Sequence, residues 1–116
     1  MSVVNVKVAH IRPKYKNLAD WCSDKDNVYI GRKGVVFIDG QRYPKKDSIW
    51  ANPFRIRKDD PDHSREKVLD LYRDYIYRSP ELLSQLHTLQ GKTLGCWCHP
   101  EPCHGDIILE LIETLC

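Results

Sequence analysis

Thr93-Leu94-Gly95-Cys96-Trp97-Cys98 constrains this chain most strongly. The stretch is too short and too continuously apolar for anything but a core strand, and helical patterns flank it on both sides. Upstream, Ser79-Pro80-Glu81 reads as an N-cap, a proline at the first helical position and an acid in the first turn. The helix that follows carries Leu82, Leu83, Leu86 and Leu89 and stops at Gly91. Downstream, Gly105–Leu115 places Ile107, Ile108, Leu111, Ile112 and Leu115 on one stripe. Helix, strand, helix in this order is the grammar of α/β proteins.

The rest of the chain fits that frame. Val4, Val6 and Val8 alternate with polar residues over Val3–Val8, which predicts a half-buried strand, and Val28-Tyr29-Ile30 predicts a second, closed by Gly31. Asp20–Asp26 is polar and reads as irregular. Val35–Ile38, Asp39-Gly40 and Gln41–Tyr43 spell a hairpin, because both central turn residues tolerate positive φ. Ser64–Arg78 carries Val68, Leu69, Tyr72, Tyr75 and Ile76 at helical spacing, with Asp60 and Asp62 near its positive amino end. The expected fold is a single α/β domain over residues 1–116: a small mixed β-sheet, an added β-hairpin and three packed helices, the last strand running into the C-terminal helix.

Bulk properties narrow the function classes. With 116 residues the chain can bury one core, and 41% apolar with 29% charged residues is the composition of a soluble globular domain. No apolar run is long enough to span a bilayer, so no membrane partner is expected. The first residues lack the features of a signal peptide, and the five cysteines are odd in number with three crowded together. A cytoplasmic protein with reduced thiols is expected, and no cofactor is implied. Net charge is only +2, but Gly31–Lys58 holds eight basic residues against Asp39 and Asp47. The plain explanation of such a run is a solvated loop face; the sharper one is attraction for phosphate, on a small molecule or on nucleic acid.

The candidate chemistry lies where the core strand passes into the last helix. Cys96 and Cys98 share one side of the strand and Trp97 takes the other. Cys98 sits near the carboxyl end, where α/β sheets bind ligands, and Cys103, His104 and Asp106 fall at the start of the helix. Free N–H groups and the dipole at that position favour an anion. Three readings compete. In the first, Cys103 is a thiolate nucleophile activated beside His104; a phosphatase-type loop is excluded, since no arginine follows Cys103. In the second, Cys98, Cys103 and His104 or His99, with Cys96, hold zinc. The C-x-C-x4-C-H spacing is not a standard zinc motif, and the zinc-deaminase pattern would lack its second half. In the third, His104 and Asp106 act as polar or acid/base groups on a nucleotide-like ligand. Asn52, oriented by Pro53, supplies an amide there, and Trp50 or Tyr29 stacks on a ring. Packing alone accounts for Cys22, Cys96 and Cys116.

The sequences Val28-Tyr29-Ile30-Gly31-Arg32, Trp50-x-Asn52-Pro53-Phe54 and Gly95-Cys96-Trp97-Cys98-x-Pro100-x-x-Cys103-His104-Gly105-Asp106 together resemble a family of small domains from bacteria, phages and large DNA viruses. That family is described only as a domain of unknown function. The terminal Cys-His element is more weakly similar to a second uncharacterised bacterial family. The resemblance covers about residues 28–113 and implies that the three motifs build one site; it implies no activity. The chain departs from the usual pattern in carrying the Val35–Asp47 hairpin between the first two motifs.

The resulting expectation is one pocket formed by Arg32, Trp50, Asn52, Cys98, Cys103, His104 and Asp106. It would bind a small phosphate-bearing, nucleotide- or nucleoside-like molecule and could support hydrolysis or group transfer by Cys103, His104 and Asp106. The opposing class is a non-enzymatic module that binds zinc or nucleic acid.

Overall fold

The computed structural model describes residues 2–116, and the chain runs β1 (Ser2–Asn5), α1 (Val8–Ile11), α2 (Leu18–Ser23), β2 (Asn27–Tyr29), β3 (Val36–Ile38), β4 (Gln41–Tyr43), α3 (Arg65–Tyr77), α4 (Pro80–Gln85), β5 (Thr93–Cys96) and α5 (His104–Leu115). Short 3₁₀ turns at Pro61–His63 and Leu86–Leu89 precede α3 and follow α4. The α/β class, the hairpin and the last strand leading into the C-terminal helix all stand as expected.

β5 lies between β1 and β2 and pairs in parallel with both, Val3 opposite Leu94 and Val28 opposite Leu94. The hairpin β3–β4 forms its own two-stranded antiparallel sheet. Its turn uses Asp39 at φ 52° and Gly40 at φ 79°, the left-handed pair that matches strand twist.

Strand alternation sends side chains into two cores. Val3, Val28, Ile30, Leu94 and Cys96 face α3, α4 and α5, where Tyr72, Ile76, Leu86, Ile108 and Leu111 close the larger core. Val4, Val6, Tyr29 and Trp97 face the other way, onto Ile11, Leu18 and Trp21, with Val36 and Tyr43 of the hairpin beside them. Gly95 points to this second side. A Cβ there would lie 2.5 Å from the Trp21 ring and 2.6 Å from Val6, so the missing side chain lets the indole lie on the sheet. Gly105 plays the same part on the first side, bringing the start of α5 against Ile30 and Val3.

The sequence pattern and the structure differ locally, for identifiable reasons. β1 ends at Asn5, and Val8 opens α1 and is 44% exposed. Asn5 causes the break: its Oδ1 accepts from Lys7 N at 2.9 Å, turning the chain out of the sheet. The polar Asp20–Asp26 stretch contributes to α2, which Asn17 caps by accepting from Asp20 N. With only Leu18 and Trp21 buried, that helix is too short to show periodicity. Asp60 caps the 3₁₀ turn, accepting from Asp62 N and from the His63 ring, while Ser64 caps α3 itself. Leu115, expected in the α5 stripe, is 47% exposed because the buried stripe ends at Ile112.

Candidate functional site

Parallel strands end together, so the residues that follow them share one edge. Beyond β2 come Ile30, Gly31 and Arg32; beyond β5 come Trp97 and Cys98, which lead to Cys103 and His104 at the start of α5. These residues except Ile30, with Asn52, Phe54–Ile56, Val35 and the Arg65–Leu69 face of α3, line a cavity of about 510 Å³. It lies at the carboxyl end of the sheet, where open α/β folds bind their ligands, and its size is that of a small-molecule site.

Two tethers hold the cavity mouth. Arg32 donates from Nη2 to the carbonyls of Asn52 (2.7 Å) and Phe54 (3.3 Å), fastening the 52–54 segment to the end of β2. Arg65 donates to the Pro102 carbonyl at 2.8 Å, fixing the loop ahead of α5 to α3. From β1, Asn5 Nδ2 donates to the His99 carbonyl at 2.9 Å and holds the other end of that loop. Asn5, Arg55 and Arg65 join the site without having been singled out by the motifs. Arg55 stood within the basic stretch, but only the fold shows which of those charges turn toward the cavity.

Of the seven residues expected to converge, five line the cavity: Arg32, Asn52, Cys98, Cys103 and His104. Trp50 is 3% exposed and packs in the larger core, its carbonyl accepting from the Tyr72 hydroxyl at 2.7 Å. Tyr29 is also committed, donating to the Arg32 carbonyl and accepting from Trp97 Nε1, each at 2.8 Å. Phe54 lines the cavity wall; Trp97 also borders the cavity, but its indole packs on the opposite face of the sheet. Asp106 is exposed and caps α5, its Oδ2 accepting from Cys103 N at 2.9 Å. Gly105 N–H meets the Cys103 sulfur. The amides offered to an anion at this helix start are therefore largely spent within the cap, and the positive character of the site comes from side chains.

Those side chains are Arg32, Arg55 and Arg65, and among the described residues no carboxylate lines the cavity. Burial lowers the pKa of the Arg32 guanidinium, and nearby Arg55 lowers it further. It stays protonated near neutral pH, so an incoming anion would relieve this repulsion. His104 donates from Nε2 to the Ile30 carbonyl at 2.6 Å and rests edge-on against Tyr72, ring centroids 5.1 Å apart. A carbonyl can only accept, so the proton is on Nε2 and Nδ1 carries the lone pair. Burial also depresses the His104 pKa, keeping the ring neutral. Asn52 Oδ1 accepts from Phe54 N at 2.9 Å, a local turn that sets the direction of its amide.

The sulfurs of Cys96 and Cys103 lie 3.1 Å apart, both residues 2% exposed and both on the cavity wall. Backbone N–H groups of Cys98 and His99 also point at the Cys96 sulfur. Among the described residues, no three His, Cys, Asp or Glu side chains come close enough together to hold a metal ion. His104 has its Nε2 on a carbonyl, and His99 is exposed.

Fold and site thus define a small α/β domain with a basic, cysteine-floored cavity at the carboxyl end of a parallel sheet. The chain belongs to the family described as "Domain of unknown function (DUF4326)", whose model matches residues 9–114. It is 34% identical over 97 residues to "Uncharacterized protein R718" of Acanthamoeba polyphaga mimivirus, the match covering 77% of this chain and 68% of that protein. It is also 45% identical over 74 residues to the "Uncharacterized 12.4 kDa protein in nrdA-td intergenic region" of Enterobacteria phage T4, covering 60% of this chain and 65%, just under two-thirds, of that protein. No solved structure matches the chain. No helix among the described residues is long and apolar enough to cross a membrane.

Proposed function

We propose that the cavity binds a small phosphate-bearing molecule of nucleotide or nucleoside-like form. One observation carries this reading: three arginines and a neutral histidine line a cavity that has no carboxylate among the described residues. Arginine presents a planar fork of donors suited to phosphate oxygens. Phe54 gives the same wall an apolar surface for a planar base, and about 510 Å³ accommodates such a ligand. A hydrolytic or transfer step there would draw on His104 Nδ1 as the acid/base group. Asp106 would hold the helix start in place and not face the ligand.

Titration calorimetry of the whole chain with nucleoside monophosphates, the parent nucleosides and inorganic phosphate tests this. The expected outcome is saturable binding of at least one nucleoside monophosphate, weaker binding of the nucleoside, and a loss of roughly tenfold or more in Arg55→Ala. Such a loss corresponds to removing one charge-assisted hydrogen bond, about 1.5–3 kcal/mol. Silence across the panel overturns the reading. So does binding confined to oligonucleotides with steep salt dependence, which would assign the arginines to a nucleic-acid backbone.

A further inference from the structure

Cys96 ends β5 and Cys103 opens α5, and the six-residue loop between them folds back so that their sulfurs meet at 3.1 Å. Both are free thiols. A disulfide needs a separation of about 2.05 Å, so about an ångström of sulfur movement would join them. Their surroundings differ. The Cys96 sulfur faces the N–H groups of Cys98 and His99 as well as the Cys103 thiol, and these three donors favour a sulfur anion on Cys96. Cys103 faces that sulfur, which holds its own proton in place. Both thiols line the cavity, so a small molecule reaches them from that side. Cys22 packs on the opposite face of the sheet and Cys116 is exposed at the chain end.

We propose that Cys96 and Cys103 form a redox-active pair that closes into a reversible disulfide on the cavity floor, with Cys96 reacting first with a small hydroperoxide. The Cys96 thiolate attacks the terminal peroxide oxygen; an S–O bond forms, the O–O bond breaks, and the leaving oxygen departs as water or an alcohol after taking up a proton. Cys103 then attacks the Cys96 sulfur. The S–S bond forms, the S–O bond breaks, and the hydroxyl leaves as water with the Cys103 proton. Two thiols lose two electrons in all, and the peroxide gains them. A small dithiol reverses the step by thiol–disulfide exchange. The pair stands on its own geometry and does not rest on the ligand reading, so either can fail without the other.

The test is alkylation counting on the whole chain. Hydrogen peroxide is added at neutral pH, excess is removed, the protein is denatured, and maleimide uptake is read by mass. Unoxidised protein takes a label on each of its five cysteines. The expected result after oxidation is two fewer labels with the loss of two hydrogen masses, restored by dithiothreitol. Fragmentation of the tryptic peptide beginning at Thr93 should place the link between Cys96 and Cys103. Cys98→Ser should still lose two labels, whereas Cys96→Ser and Cys103→Ser should lose none as a pair. The initial rate of cross-linking should fall in acid, because the donors facing the Cys96 sulfur favour its ionised form and acid removes it. Full labelling after peroxide, oxygen gain without a cross-link, or a link through Cys98, Cys22 or Cys116 overturns the proposal. The wild-type mass readings decide this whether or not the serine variants fold.

Discussion

On the side of the sheet that faces α3, α4 and α5, fifteen residues form one buried cluster, and the cavity opens at its edge. On the other side, four buried residues, Val6, Ile11, Leu18 and Trp21, are joined by partly covered ones from the hairpin. The larger side carries the site because its helices reach the carboxyl end of the strands. The smaller side covers the sheet with minimal material, the Trp21 ring lying directly over Gly95. A parallel sheet must be covered on both faces, yet only one cover has to be rigid enough to position arginines and thiols.

The sharpest way to break that comparison is Gly95→Ala. The added methyl meets the Trp21 ring and Val6, neither of which can swing into solvent. Overpacking of this kind costs about 1–3 kcal/mol. The expected outcome in denaturant unfolding is a lower midpoint, with hydrogen exchange rising first in α2 and not in α3. Equal loss of protection in α3 would show that the two covers form one cooperative unit.

A smaller effect is expected from Tyr72→Phe on the large side. The hydroxyl donates to the Trp50 carbonyl in a fully buried position, and its removal leaves that acceptor unpaired. The expected loss is about 1–2 kcal/mol, with Trp50 fluorescence as a local reporter. An unchanged midpoint would mean that water replaces the hydroxyl, and that this core is looser than its burial indicates.

The smallest and most specific effect concerns pH. His104 has a folded pKa below its unfolded value, so the unfolded chain binds the proton more readily. Its contribution to stability is present above the unfolded value of about 6.5 and is lost progressively as pH falls below it. Thermal midpoints measured downward from neutral pH should decline. His104→Gln should flatten that part of the curve while keeping a donor for the Ile30 carbonyl. An identical decline in both proteins would assign the acid sensitivity elsewhere.

The strands, α3, α5 and the helical stretch of α4 with its 3₁₀ continuation were legible in the sequence wherever one period ran long enough: the alternation of Val4 and Val6, the leucines Leu82, Leu83, Leu86 and Leu89, the isoleucines of α5. The hairpin was legible from Asp39-Gly40 alone. What escaped was local and polar. α2 depends on a cap at Asn17 and on one tryptophan lying over a glycine in a strand far along the chain, and no window of sequence holds both. In the site, Arg32, Cys98, Cys103 and His104 were readable because they follow strand ends, and Asn52 because Pro53 orients it. Trp50 stood in the same motif as Asn52, yet its ring is buried in the larger core, where no local pattern could place it.

By itself, then, the sequence determined that this chain is an α/β domain, that its last strand feeds a helix through a cysteine- and histidine-bearing turn, and that its basic residues concentrate in one segment. These follow from side-chain periodicity and turn chemistry, which act over a few residues. Only the tertiary structure decided that Cys96 meets Cys103, that Arg55 and Arg65 face Arg32 across a cavity, and that Asp106 caps a helix. Those outcomes depend on how parallel strands far apart in the chain come to end side by side, an arrangement set by the packing of two cores and not by any local pattern.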